Sequence, residues 1–296
     1  MQDDNITVVT AYFNIGNFSK GYKGFEYTPA MYHQWMLTLS LVRNPMIAFV
    51  DNDADFRYMM EVRSRLPSNR TLIIKVSQSE MSSFSLVPGI AAIFNKPGYP
   101  TYFPNTVEPR YSAAMHAKYE VMRRATTANP FRTSYFCWLD VGLFRELIAE
   151  NATIDDMDKP NATLGKSFLL ELPFDFHTDS IAYTEVWPRN TSLSPREIVY
   201  TNSFWVCGCF FVGETELMRR WTIEYANGLQ TMLNLNLAST DQQLIYYIFN
   251  HLKPRTKIRT YHSTEQYNPW FHLGFLLREE GLKHETITSK SLIYNA

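Results

Sequence analysis

Polar residues suited to metal binding or acid–base chemistry directly follow apolar runs of this sequence. Asn14 follows residues 7–13 (TVVTAYF), and Asp51 and Asp53 follow Met46–Val50 (MIAFV). In an open α/β sheet, ligands bind outside the carboxyl ends of the parallel strands. We therefore expect these side chains to gather along one edge of a sheet, although each alone is also an ordinary turn or N-cap residue.

Asp140 stands at the end of a third apolar run, Tyr135–Leu139 (YFCWL), and Gly142 lies two residues further on. A carboxylate is an oxygen ligand that a hard divalent cation prefers, and glycine lets a diphosphate approach the backbone. We predict that Asp140 binds a metal ion and a diphosphate. His262 follows the candidate strand Lys257–Tyr261 and is the predicted partner of Asp140 as a metal ligand, the alternative being a solvated loop histidine.

Asp241 opens a helix-period segment that follows Ser239 and Thr240. A carboxylate in the first turn of a helix is favoured by the helix dipole without any catalytic duty. Alternatively, the segment brings Asp241 to the ligand edge of the sheet, where it would accept the proton of an acceptor hydroxyl. The sequence leaves both interpretations open.

The elements that must position these residues alternate between short apolar runs and segments of helical period. This pattern predicts one α/β domain over residues 1–296, with a mostly parallel sheet flanked by helices. Prolines interrupt residues 82–109, which we predict to be a long loop. The further predicted strands are 71–76, 167–172 and 204–212, and the predicted helices include 55–66, 111–122 and 214–232.

Composition excludes several classes of protein. Of 296 residues, 45% are hydrophobic and 19% charged, which predicts a folded core. Lys and Arg total 28 against 29 Asp and Glu, so no excess of positive charge favours nucleic acid as a partner. No apolar run approaches the ~18 residues of a membrane span, so we expect no membrane contact by this domain.

Six N-x-[ST] sequons favour a secretory or Golgi-lumen protein of a eukaryote, from which a signal or membrane anchor would have been removed. The alternative is a cytoplasmic protein in which these are ordinary polar turns. Cys207 and Cys209 are predicted to be packed small hydrophobes rather than a redox pair. The sequons begin at Asn5, Asn17, Asn69, Asn151, Asn161 and Asn190.

Residues 118–145 (KYEVMRRATTANPFRTSYFCWLDVGLFR) resemble the HtrL/YibB (WlaTC-like) family, as do VVTAYFNIG at 8–16, FVDND at 49–53 and the region 204–249. The resemblance covers most of the chain. It implies a single Rossmann-like domain of the GT-A glycosyltransferase type, which transfers a sugar from a nucleotide donor, in particular a UDP-sugar, to a glycan hydroxyl.

The resemblance also assigns roles. It places Asn14 and Asp51 at the nucleoside and Lys118, on a helix, in the donor site. Asp140 matches the first position of the Asp-x-Asp motif that holds Mn²⁺ and diphosphate, and Gly142 stands where many GT-A enzymes have a second Asp.

Two further positions are implied by the same resemblance. Asp241 lies in an Asp-Gln-Gln helix similar to the segment that faces the acceptor. His262 corresponds to a C-terminal histidine ligand of several GT-A families.

Two other functions remain open. Asp-x-Asp after an apolar strand is also the pattern of a phosphoryl-transfer enzyme, with Asp51 as nucleophile and Asp53 as acid/base. The third candidate is an inactive, sugar-binding or nucleotide-sugar-binding module, favoured by aromatics that can stack on sugars.

Overall fold

The computed structural model describes residues 5–150, 152–158, 165–263 and 268–294. The strands of these residues are β1 (Ile6–Tyr12), β2 (Phe18–Ser19), β3 (Glu26–Tyr27), β4 (Met46–Val50), β5 (Thr71–Lys75), β6 (Tyr135–Leu139), β7 (Ser180–Glu185), β8 (Val206–Glu214) and β9 (Lys257–Tyr261). The α-helices are α1 (Pro29–Met36), α2 (Asp53–Arg63), α3 (Ser82–Ser85), α4 (Val87–Phe94), α5 (Pro109–Ala128), α6 (Pro195–Tyr200), α7 (Thr215–Asn234), α8 (Asp241–Tyr247) and α9 (His272–Tyr294).

One mixed sheet organises the molecule in the strand order β5-β4-β1-β6-β8-β7-β9. The pairs β4·β5, β1·β4, β1·β6 and β7·β9 are parallel, while β8 runs antiparallel to β6 and β7. Helices flank the sheet, and β2 and β3 form a separate hairpin. The predicted α/β class with a mostly parallel sheet is confirmed.

The sheet is apolar on both faces because successive side chains of a strand point in opposite directions. Val9 and Trp138 pack into one buried cluster, which α5 and α7 cover. Val8 and Leu139 pack into the cluster on the opposite face. Strands buried on both faces are continuous apolar runs, which is why β4 and β6 stand out in the sequence.

The topology brings the ends of three elements together. The carboxyl ends of the parallel strands β1 and β6 lie at the same edge of the sheet. Because β8 is antiparallel, its first residues reach this edge too, and the Asp140 backbone N–H donates to the Cys209 carbonyl over 2.9 Å. Residues far apart in the sequence therefore meet at one edge.

Two predicted elements differ from the structure. Residues 82–109 are not one loop, because α3 and α4 form within them; Pro88 lies in the first turn of α4, where its missing N–H is not needed. Residues 167–172 form only an isolated bridge between Phe168 and Val42. Their backbone pairs with irregular segments instead, as where the Leu170 N–H donates to the Asn44 side chain.

None of the helices in the described part of the chain is both long enough and apolar enough to cross a membrane.

Candidate active site

A cavity of about 460 Å³ opens at the edge where β1, β6 and β8 meet. Its size falls in the range of small-molecule sites, and aromatic side chains form part of its wall. Helix α5 and the start of α8 supply its polar floor, and the β2–β3 hairpin and α1 supply part of the wall. The aromatic residues of the wall include Tyr27, Tyr32, Trp35, Tyr111, Trp138 and Phe271.

Lys118 of α5 joins two of the predicted site residues. Its Nζ lies 3.1 Å from Asp140 Oδ1 and 3.1 Å from Asp241 Oδ2, and it donates to the Gly208 carbonyl over 3.1 Å. The side chains of Lys118 and Asp241 are 4% and 3% exposed, whereas that of Asp140 is 32% exposed. The three N–H groups of the ammonium thus meet three acceptors, and both carboxylates are fixed to one buried cation.

Protonation in this cluster follows from burial and charge. Burial alone would lower the pKa of Lys118, but the carboxylates of Asp140 and Asp241 outweigh it and raise that pKa above its usual value. Burial raises the pKa of Asp140, while the Lys118 ammonium opposes the rise. The Trp138 indole also donates to Asp140 Oδ1 over 2.6 Å. Lys118 is therefore the protonated centre of the floor.

Asp241 is held by packing as well as by charge. It is the first residue of α8, and its carboxylate faces Gly208 of β8. A Cβ atom added at Gly208 would lie 1.9 Å from Asp241 Oδ2, so only glycine allows this approach. The contact with Lys118 connects Asp241 to the cavity floor, a role separate from stabilising its own helix.

Steric contact with a neighbouring ring explains why residue 142 is a glycine. A Cβ atom at this position would lie 2.9 Å from Cε3 of Trp35, whose ring forms part of the cavity wall. A second aspartate here would collide with that ring. The second aspartate of Asp-x-Asp is therefore replaced by Gly142 at the point where the Trp35 ring forms the cavity wall.

Asn14 and Asp51 contact each other, not the cavity floor. The Asn14 backbone N–H donates to Asp51 Oδ2 over 3.0 Å, and the Gln78 amide donates to both Asp51 and the Asn14 carbonyl. Neither residue lines the cavity. Asp53 begins α2 with its side chain 69% exposed and pairs with Lys75 over 2.6 Å. The structure thus separates these three residues from Asp140.

The predicted metal ligands are not brought together. The His262 side chain is 72% exposed, lies 3.8 Å from Glu185 and does not line the cavity that Asp140 lines. Both oxygens of Asp140 already accept hydrogen bonds from Lys118 or Trp138. Over the residues that the structure describes, no group of three or more His, Cys, Asp or Glu side chains could hold a metal ion. The donor set does not fit a resident Mn²⁺.

Two cationic residues of the cavity were not predicted from the sequence. Lys20 lies in the hairpin after β2, with Nζ 5.1 Å from the centre of the Tyr27 ring. Arg145 has its guanidinium 4.6 Å from the centre of the Phe271 ring. Arg145 closes the segment 118–145 and could have been singled out there. Lys20 has no comparable sequence signal.

The prediction for the cysteines is wrong, because Cys207 and Cys209 form a disulfide on either side of Gly208. The pairing of β7 with β8 explains how. The register moves one residue along β7, from Tyr183 to Thr184, but four residues along β8, from Phe211 to Cys207. This bulge shortens the strand, and the two Cα atoms lie 5.4 Å apart, within disulfide range.

Comparison with known proteins agrees with the resemblance in the sequence. The model of the family described as "Bacterial protein of unknown function (HtrL_YibB)" matches residues 4–258. A search of proteins with curated functions found no match. The family match spans most of the chain, including β1 to β8 and every residue of the cavity floor, and the chain belongs to the HtrL_YibB family.

Proposed function

We propose that this chain is a glycosyltransferase that moves a sugar from a nucleotide diphosphate donor, a UDP-sugar in the first instance, to a hydroxyl group of a glycan. One observation carries the proposal. The carboxylates of Asp140 and Asp241, from different elements, meet on Lys118 in one aromatic cavity at the carboxyl edge of the sheet. Aromatic walls suit the stacking of a base and a sugar ring.

The chemistry assigned to this floor is a substitution at the anomeric carbon. The bond from that carbon to the diphosphate oxygen breaks, the bond to the acceptor oxygen forms, and the acceptor proton passes to a carboxylate. Lys118 contacts Oδ2 of Asp241, which leaves Oδ1 to take the proton. Asp140, more exposed than Asp241, orients the donor side. No step is routed through a metal ion, since the donor set does not fit one.

Mn²⁺ dependence stays a prediction of the family resemblance. Binding of uridine diphosphate, measured by thermal shift with Mn²⁺ and with a chelator, tests it directly. Stabilisation only in the presence of Mn²⁺ would support the cofactor, and equal stabilisation in the chelator would contradict it.

The other two functions have less support. A phosphoryl-transfer nucleophile needs an accessible carboxylate, but Asp51 Oδ2 accepts two hydrogen bonds outside the cavity. Trapping of an aspartyl-phosphate would revive that candidate. A module that only binds nucleotide-sugars would bind uridine diphosphate without turnover of any sugar.

Replacing Asp241 by Asn tests catalysis at the floor. Asn keeps the shape of the side chain but does not take the proton, so turnover of a UDP-sugar is expected to fall by roughly 10²–10⁴ while donor binding is kept. Asp53→Asn is the matched control, because Asp53 is exposed and outside the cavity. Near-native turnover of a folded Asp241→Asn variant would remove Asp241 from the reaction.

Location is a separate proposal. Asn5, Asn17, Asn69 and Asn190 are exposed, whereas the sequons at Asn151 and Asn161 lie outside the described residues. Accessible sequons suit a Golgi or secretory-lumen protein, with a cytoplasmic protein as the alternative if the source is not eukaryotic. Expression in a eukaryotic secretory host should give a mass ladder that an N-glycosidase collapses. A single unglycosylated species would contradict the lumenal location.

A further inference from the structure

We propose that Lys20 and Arg145 form an anion site that holds the diphosphate of the donor directly, in the place where a divalent cation was expected. The identity of the donor rests on the proposed function. Binding of a diphosphate group by these two side chains does not, and it can be measured without any sugar transfer.

Lys20 presents its ammonium to the cavity without a counter-ion. Its Nζ lies 5.1 Å from the centre of the Tyr27 ring and 6.0 Å from that of Tyr111, and the residue lines the cavity. Solvent reaches Lys20, but among the described residues no carboxylate pairs with it. Aromatic faces attract a cation yet leave its hydrogen-bond donors free for a ligand.

A backbone carbonyl and two aromatic rings orient the guanidinium of Arg145. Its Nη1 donates to the Gly142 carbonyl over 3.1 Å, and its guanidinium lies 4.6 Å from the Phe271 ring centre and 5.5 Å from that of Trp35. Within the described part of the chain it has no carboxylate partner either. A planar guanidinium fixed between rings offers its remaining N–H donors as a fork, which fits phosphate oxygens.

The charges of the cavity floor make these two cations necessary for an anionic ligand. All three donors of Lys118 are already used by Asp140, Asp241 and the Gly208 carbonyl. Those two carboxylates leave the floor with one negative charge in excess, which would repel a diphosphate. Lys20 and Arg145 change the net charge of the cavity from negative to positive. Two unpaired cations that line one cavity repel each other, and a bound anion offsets that repulsion.

A diphosphate fits better than a single carboxylate. Two separate cations can each take one phosphoryl group, and the aromatic wall then lies beside the organic part of the ligand. The site also explains how Gly142 can replace an acidic metal ligand: its carbonyl orients Arg145 and its missing side chain admits Trp35. Position 142 thus lacks a carboxylate, and its backbone carbonyl orients the guanidinium of Arg145 instead.

The test is calorimetric titration of the full chain with inorganic pyrophosphate and with uridine diphosphate, in a chelator. The variants are Lys20→Met and Arg145→Met, with Lys23→Met as the control, because Lys23 is an exposed lysine of the same hairpin that does not line the cavity. Loss of a charge-assisted hydrogen bond predicts affinities weaker by about 10-fold or more in the two cavity variants and nearly unchanged in the control.

Each outcome decides something. Unchanged affinity in both cavity variants, or wild-type binding that requires added Mn²⁺, overturns the anion site but leaves the glycosyltransferase proposal standing. Pyrophosphate binding that depends on both cations, with no turnover of any UDP-sugar, supports the site and contradicts the proposed function. If neither ligand binds the wild type, either in the chelator or with added Mn²⁺, both proposals fail. If Arg145→Met does not fold, Arg145→Gln takes its place. The affinity of the wild type is then also measured at increasing salt concentration, because added salt is expected to weaken binding at an ionic site.

Discussion

Replacing Gly208 by Ala tests whether close contact between β8 and α8 positions Asp241. The new Cβ atom would lie 1.9 Å from Asp241 Oδ2 and 2.7 Å from its Cγ. Contacts of a real Cβ atom are not shorter than 3.0 Å, so the carboxylate oxygen must move by at least 1.1 Å, the difference between 3.0 and 1.9 Å. That oxygen is the one that contacts Lys118 over 3.1 Å.

The size of the effect follows from that displacement. Overpacking of a tight interior site costs about 1–3 kcal/mol of unfolding free energy. Loss of the ion pair between two buried groups brings the expected loss toward the upper end of that range. A misplacement of about 1 Å at a reacting group lowers turnover by roughly 10²-fold. We therefore expect turnover to suffer more than folding.

The assay pairs UDP-sugar turnover with thermal unfolding. Gly89→Ala is the matched control, because Gly89 lies in α4 and a Cβ atom there would meet nothing within 4 Å. Alanine in a helix is more stable than glycine by about 0.5–1 kcal/mol, so this control should keep its activity and unfold no earlier. Native turnover and native stability in Gly208→Ala would refute the positioning of Asp241 by Gly208.

Two further predictions concern the donor side of the cavity. Asp140→Asn should fold but turn over a UDP-sugar more slowly, because the amide no longer forms the ion pair with Lys118 that orders the floor; native turnover in the folded variant would remove Asp140 from the donor site. Burial lowers the pKa of Lys20 to about 8; Asp140 and Asp241 oppose the shift, and Lys118 and the nearby guanidinium of Arg145 add to it. Affinity for pyrophosphate should therefore fall as the pH rises above about 8, and the fall should be smaller in Lys20→Arg, whose charge persists; parallel profiles for the two proteins would contradict this.

The part of the site that the sequence predicts is the part set by strand ends. Asp140 follows β6, a run that is apolar because both of its faces are buried. The rule that ligands bind at the carboxyl edge then predicts that it lies at the edge where the cavity opens. The same rule did not distinguish Asp140 from Asp51, because a strand end is also a good place for a structural hydrogen bond. The Asp51 carboxylate makes such a bond, because it accepts from the backbone N–H of Asn14 beyond the end of the neighbouring strand β1.

The rest of the site depends on packing between distant segments. Lys20 enters the cavity because the β2–β3 hairpin folds back over it, and Arg145 is aimed by rings from α1 and from the segment before α9. Neither arrangement has a period or a spacing in the sequence. The disulfide of Cys207 escaped prediction for the same reason, since it depends on a bulge between β7 and β8.

The buried charges of the floor are better explained by function than by stability. A buried ion pair is costly to desolvate, and packed apolar residues of similar volume are often as stabilising. Lys118 nevertheless lies between two carboxylates inside an aromatic cavity, where leucine or methionine would pack without that cost. What apolar residues would not supply is the pair of carboxylates that the proposed reaction needs, one beside the acceptor hydroxyl and one beside the donor. With Lys118 neutralising that pair only in part, the unpaired Lys20 and Arg145 leave the floor with one positive charge in excess, which a bound anion offsets.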